Sequence, residues 1–202
     1  MKLYYGPGTC ALSPHIVLSE LGLPHELVKV STKTRKIQTD GDYLEINPKG
    51  YVPTLELDDG QRLTEGPAIV QYLADRKPEA KLAPANGTIE RYRLQEWLNF
   101  VTSELHKQFS PLFNPATPDE YKESLRLKIA GRFDWLNRQL EGKQYLMGDQ
   151  FTVADAYLFT VLRWAQPMGL DLSKWSAIER YFARVSARPP VQEAMKAEGL
   201  IK

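Results

Sequence analysis

The 202-residue sequence holds one cysteine and three histidines. A single thiol excludes an internal disulfide, and no Cys/His cluster has zinc spacing, so no metal is expected. Neither sign of charge is in excess: 26 Lys+Arg stand against 25 Asp+Glu, a formal net charge of +1. Without a basic surplus, a nucleic-acid backbone is not the expected partner. The apolar runs fall well short of the ~18 residues a membrane span needs. The segment Met1-Lys2-Leu3-Tyr4-Tyr5-Gly6-Pro7 lacks the apolar core of a signal peptide. The expectation is a soluble, cytoplasmic protein with neither a nucleic-acid nor a membrane partner. What is present is an ordinary globular composition, 43% hydrophobic and 25% charged. The length suits one large domain or two small ones.

The first eighty residues read as α+β. Lys2 to Tyr5 is a strand running into the turn cluster Gly6-Pro7-Gly8-Thr9. Ala11 to Leu21 is a helix whose start is pinned near Cys10, because Pro14 is tolerable only in a first turn. His25 to Val30 is a second strand. Val52–Leu57 and Gln61–Thr64 flank Asp58-Asp59-Gly60, a hairpin signal. Gly66 to Asp75 reads as a helix with Ile69, Tyr72 and Leu73 at helical spacing. With one helix in the variable stretch between, the order is βαβαββα. Residues 81–87 read as a linker, and 88–202 as all helix. Thr117-Pro118-Asp119-Glu120, Thr152-Val153-Ala154-Asp155 and Ser176-Ala177-Ile178-Glu179 are capping boxes, and Gly142 and Gly199 are helix stops.

Four features carry chemistry. Cys10 lies where the first strand meets the first helix, as part of Cys10-Ala11-Leu12-Ser13. This is a C-x-x-C redox motif with serine in place of the resolving cysteine. Unpaired N–H groups and the helix dipole there are expected to lower a thiol pKa from ~8.5 toward ~3.5–7.5. An internal disulfide cycle is impossible, whereas a mixed disulfide with a small external thiol is not; the bland alternative is a small buried hydrophobe. Val52-Pro53 follows Asn47-Pro48-Lys49-Gly50. It reads either as an edge-strand proline or, if the bond is cis, as a site where Val52 offers its backbone to an extended peptide. In Thr64-Glu65-Gly66-Pro67, the free N–H groups opening a helix suit a carboxylate and Glu65 suits an ammonium; a solvated helix cap is the alternative. Finally, Asn99, Ser103, His106 and Lys107 fall on one face of a helix running from Thr88 to about Phe113. His15 and His25 receive no site role.

Taken in order, these segments resemble a bacterial beta-class glutathione transferase. The likeness rests on Met1–Tyr5, Pro7-Gly8 and Cys10, on Asn47-Pro48-Lys49-Gly50-Tyr51-Val52-Pro53, and on Leu63 through Asp75. It continues through Glu96-Trp97-Leu98-Asn99, Glu104-Leu105-His106-Lys107 and Phe151-Thr152-Val153-Ala154-Asp155-Ala156-Tyr157. It implies a thioredoxin-like N-terminal domain (1–80), an all-α C-terminal domain and a homodimer, with glutathione at the junction as co-substrate and no tightly bound cofactor. It implies that Cys10 and His106 are catalytic. Cys10, Arg35, Tyr51, Val52, Pro53, Glu65, Gly66, Asn99, Ser103, His106 and Lys107 are implied to bind glutathione. Arg35 stands where relatives have lysine, and Gly66 where many transferases outside this branch have serine. Phe109, Phe113 and Trp164 are the candidate floor for a hydrophobic electrophile. Tyr5, at the end of the first strand, is the rival of Cys10. The implied activity is conjugation of the glutathione thiolate to electrophiles, a detoxification chemistry, with thiol–disulfide exchange through Cys10. A monothiol glutaredoxin-like oxidoreductase and a non-catalytic binding module are the alternatives.

Overall fold

The computed structural model describes residues 1–38 and 41–202. The chain divides into two compact units, Met1–Ala80 with Arg188–Lys202, and Lys81–Ala187. The C-terminal segment, read from the sequence as part of the helical domain, packs with the first unit: its helix α9 (Pro189–Ala197) lies against α1 (Leu12–Glu20).

The first unit is built on a four-stranded mixed sheet in the order β2-β1-β3-β4, formed by β1 (Lys2–Tyr5), β2 (Glu26–Lys29), β3 (Thr54–Glu56) and β4 (Arg62–Thr64). β1 runs parallel to β2 and antiparallel to β3, with Leu3 opposite both Leu27 and Leu55. Leu3 and Leu55 are fully buried. The parallel pair requires a crossover, which α1 supplies. Leu12 through Leu18 of α1 are all buried, since the helix is enclosed by α3 (Gly66–Arg76) as well as α9. A short helix α2 (Tyr43–Ile46) completes the expected βαβαββα order. The β3–β4 hairpin closes as expected, with Leu57 N–H donating to Gln61 O at 2.8 Å and Gly60 at φ 83°. The edge-strand reading of Pro53 is not met: β3 lies between β1 and β4, and Pro53 sits just ahead of it, where no ladder donor is needed.

The second unit holds only helices among its described elements: α4 (Ile89–Phe100), a π-helical segment (Val101–His106), the single turn α5 (Lys107–Phe109), α6 (Asp119–Leu140), α7 (Val153–Leu162) and α8 (Ser176–Ser186). Every residue of α7 is buried, which makes it the centre of this unit. Asp155 supplies the expected return bond of its capping box: the carboxylate accepts from the Thr152 N–H at 2.8 Å and hydroxyl at 2.9 Å. It also accepts from the Leu146 N–H at 2.9 Å and the Tyr181 hydroxyl at 3.1 Å. The other two boxes are not formed. Thr117 spends its hydroxyl on Pro111 O at 2.7 Å, and α6 starts after Pro118 without a side-chain cap. Ser176 does not cap α8, because Asn137 Oδ1 of α6 reaches across and accepts from the Ala177 and Ile178 N–H groups. Gly142 and Gly199 end α6 and α9 in the left-handed region, both at φ 71°.

Candidate active site

In the first unit, three segments converge. The loop from β1 to α1 folds on Thr9, whose hydroxyl donates to Gly6 O at 2.7 Å and accepts from the Ala11 N–H at 3.3 Å. This places Cys10 two residues ahead of α1. Ser13, fully buried, donates its hydroxyl to Cys10 O at 2.9 Å, so the serine of the C-x-x-S closes the helix's first turn. The Cys10 thiol donates to Val52 O at 3.3 Å. Val52 is held by the turn before it. Asn47 Nδ2 and Tyr43 Oη donate to Tyr51 O at 2.7 and 2.8 Å, and the Val52–Pro53 bond is cis.

The expected low thiol pKa is overturned. Although Cys10 as a residue keeps some exposure, desolvation of its sulfur pushes the thiol up to about 12, and the Glu65 carboxylate adds to the rise. The backbone N–H groups of Cys10 and Ala11 pull the other way and lose. The helix dipole is a local effect of the helix end, whereas enclosure of the sulfur is a tertiary one and outweighs it. At neutral pH Cys10 is therefore a thiol and a hydrogen-bond donor. Without glutathione, alkylation of Cys10 by iodoacetamide at pH 8 is expected to be at least ~tenfold slower than for an unperturbed thiol. The rate should still be climbing past pH 9; a plateau near pH 7 would show that the dipole prevails.

The third segment opens α3. Glu65 precedes the helix at φ 69° and ψ 111°, a backbone conformation that non-glycine residues rarely occupy. Gly66 is the first helical residue and Pro67 falls in the first turn, so the leading N–H groups are free of intrahelical partners. Lys49, to which the sequence assigns no role, joins this segment. Its ammonium donates to Glu65 Oε1 at 2.5 Å and Thr64 Oγ1 at 2.7 Å. The Lys49 and Glu65 side chains are 49% and 71% exposed, so the pair is worth at most ~1 kcal/mol and is easily exchanged. The only sequence signal for it was its place in Asn47-Pro48-Lys49-Gly50. Arg35 lies over Tyr51, with its guanidinium carbon 5.9 Å from the ring centre. Gly50 between them has φ 68°, and a Cβ there would strike the guanidinium. Tyr5 is buried with its ring 6.4 Å from His15, and burial raises its hydroxyl pKa. His15 is structural, its Nδ1 lying 2.9 Å from the buried Glu198 carboxylate.

In the second unit, Asn99, Ser103 and Lys107 are exposed at steps of four. Asn99 donates to Gln95 O and Ser103 to Asn99 O, at 2.9 and 3.0 Å. His106 departs from their row. The π-helical turn Val101–His106 holds an extra residue, and His106 is half-buried with Nδ1 2.6 Å from Tyr157 Oη and its ring 4.9 Å from that of Trp164. The three aromatics of the expected electrophile floor do cluster, with Phe109 and Phe113 at 6.0 and 5.4 Å from Trp164. Phe109 is fully buried, however, and backs Trp164 rather than facing a ligand; Phe113, 48% exposed, is the open member. Among the described residues no cluster of three or more metal-ligating side chains occurs, and no helix is long and apolar enough to cross a membrane.

Comparison with known proteins bears directly on these features. The glutathione S-transferase N-terminal domain family matches residues 8–76, and the C-terminal domain family matches residues 100–189. The chain is 47% identical to glutathione S-transferase GstA of Escherichia coli O157:H7 over 99% of this chain and all of that one. It superposes with TM-score 0.97 on BphK, a bacterial transferase solved as a ternary complex, at 57% identity over 98% and 100% of the two chains. A sphingomonad glutathione S-transferase complexed with glutathione gives TM-score 0.96 at 45% identity, covering both chains completely. With both units matched and identity sustained along the whole length, the chain belongs to the glutathione S-transferase family.

Proposed function

We propose that this protein is a glutathione transferase of the beta class that conjugates the glutathione thiolate to hydrophobic electrophiles. The observation that carries the reading is the conjunction of Cys10, Val52, Glu65 and the open end of α3 in one unit, in a chain 47% identical to a glutathione S-transferase. Each part of that surface answers one part of the tripeptide. The γ-glutamyl ammonium exchanges with Lys49 on Glu65, and its carboxylate takes the N–H groups opening α3 at Gly66. Val52 pairs its N–H and C=O with the cysteinyl backbone. Arg35 supplies a cation for a carboxylate of the peptide, and Tyr51 walls it. The family likeness adds Asn99, Ser103, His106 and Lys107 to the glutathione contacts, and Phe113 and Trp164, backed by Phe109, to those of the electrophile. Residues 81–87 join the two domains, and the chain works as a cytoplasmic homodimer in detoxification.

Catalysis is then a matter of the ligand's sulfur. On binding, the glutathione thiol loses its proton to solvent, and the thiolate is stabilised by the Cys10 S–H, the nearby backbone N–H groups and, as the family likeness implies, His106. The thiolate attacks the electrophilic carbon, a C–S bond forms, and the leaving group departs with its electron pair. The monothiol oxidoreductase reading requires a Cys10 thiolate, which the enclosure of that sulfur disfavours. Glutathione-dependent turnover of an aryl halide, weakened at subsaturating glutathione in a Glu65→Ala variant, is the expected result. Glutathione binding with no turnover across a broad electrophile panel would falsify the reading.

A further inference from the structure

The π-helical segment leaves His106 paired with a buried residue of α7. Tyr157 stands on α7, is 2% exposed, and directs its hydroxyl at His106 Nδ1, 2.6 Å away. The two rings meet edge-on at 5.8 Å and 77°. Trp164 closes on the same imidazole at 63°, so the ring has a fixed setting.

The direction of the Tyr157–His106 bond follows from acid–base chemistry. A phenol is a far stronger acid than a neutral imidazole N–H, and an imidazole nitrogen is a better base than a phenol oxygen. The favoured bond is therefore O–H donating to Nδ1. Thr102 Oγ1 also approaches Tyr157 Oη, at 3.5 Å, but its own proton is directed to Leu98 O at 2.8 Å, leaving the phenol to act as donor. When Nδ1 of a neutral histidine accepts, the ring proton sits on Nε2.

We infer that Tyr157 is a positioning residue that fixes His106 as the Nε2–H tautomer, so that the ring presents a hydrogen-bond donor to an anion. This rests on the proposed role of His106 toward the glutathione sulfur and goes one step deeper. A neutral Nε2–H stabilises a thiolate without taking up a proton. The opposite tautomer would turn a lone pair toward the same charge and repel it. The π turn belongs to this device, because a residue added to the turn takes His106 out of the exposed row of Asn99, Ser103 and Lys107 and carries it to α7.

Long-range 1H–15N correlation spectra of the full-length protein with 15N-labelled histidine, recorded at alkaline pH, test the inference. Only three histidines contribute, and a His106→Asn sample assigns the resonance. The expected spectrum shows His106 protonated on Nε2 and bare on Nδ1. In Tyr157→Phe the two tautomers should coexist, the lower limb of the pH–rate profile for conjugation should move to higher pH, and kcat/KM at neutral pH should fall about tenfold, the scale of one hydrogen bond. A wild-type His106 protonated on Nδ1 overturns the inference, and this readout does not depend on the variant folding. An unchanged tautomer in a folded Tyr157→Phe also overturns it. A tautomer that shifts while the pH–rate limb stays fixed overturns the role of His106 in the proposed function and leaves the assignment of Tyr157 standing.

Discussion

Replacing Asp155 by alanine is expected to cost the protein about 3–5 kcal/mol of stability, the summed cost of several buried donors left without their acceptor. The carboxylate is fully buried and accepts from two backbone N–H groups and two hydroxyls, those of Leu146, Thr152 and Tyr181. Each donor left without an acceptor costs ~1–3 kcal/mol, reduced where water or a side chain can enter. For a chain of this size, 1 kcal/mol corresponds to roughly 2–4 °C, so Tm should drop by about 10 °C or more. Urea unfolding of wild type and variant reads the loss; a difference below about 1 kcal/mol would show the network to be dispensable. The pH dependence has a definite sign. Burial raises the Asp155 pKa to about 6 against the pull of its four donors, above the unfolded value of ~3.9. The native state therefore holds a proton between about pH 4 and 6 that the unfolded state has lost. This group's contribution to stability is full below pH 4, declines as pH rises to about 6, and is constant above. The alanine variant should lack that slope.

Glu65→Gln is expected to raise KM for glutathione by roughly 10–100-fold, the loss of ~1.5–3 kcal/mol in a charge-assisted hydrogen bond to the γ-glutamyl ammonium. The change removes binding made equally in ground and transition states, so kcat should change much less. Free-protein stability should shift by less than ~0.5–1 kcal/mol, because the Lys49–Glu65 pair is solvent-exposed. Glu65→Gly separates the two roles of this position. Glycine occupies φ 69° without strain, so this variant should fold at least as stably while binding as poorly as the glutamine variant. Steady-state kinetics across glutathione concentrations, with thermal melts of the same samples, checks both. An unchanged KM in Glu65→Gln would remove Glu65 from the ligand site.

What the sequence disclosed and what it withheld divide along a physical line. Local signals were legible: the turn before Cys10, the Asp58-Asp59-Gly60 hairpin, Pro67 in the first turn of α3, and the Asp155 return bond all depend on residues within a few positions. Features set by distant neighbours were not. Asn137 rather than Ser176 caps α8, because a helix elsewhere in the unit happens to present an amide there. Lys49 reached Glu65 only once β3 and β4 had brought them together. A periodicity of 3.6 placed His106 with Asn99 and Ser103; a π turn adds a residue that no spacing rule anticipates. For Cys10 the sequence located the thiol, and the family likeness tied it to a second sulfur. Its acidity is not legible there, because the enclosure of the sulfur arises from the fold.

The central claim is that the protein binds glutathione and holds its sulfur as a thiolate, with Cys10 remaining a thiol. Ultraviolet absorbance of the thiolate near 240 nm tests this directly. The chain has one cysteine, and desolvation, which pushes that thiol up to about 12, keeps it silent below pH 9. Any thiolate signal that appears between pH 6 and 9 on saturating the protein with glutathione then belongs to the ligand. The account predicts a bound thiol that titrates at least one unit below the ~8.5 of a free one. A bound thiol titrating at the free value, or a signal already present before glutathione is added, would contradict it.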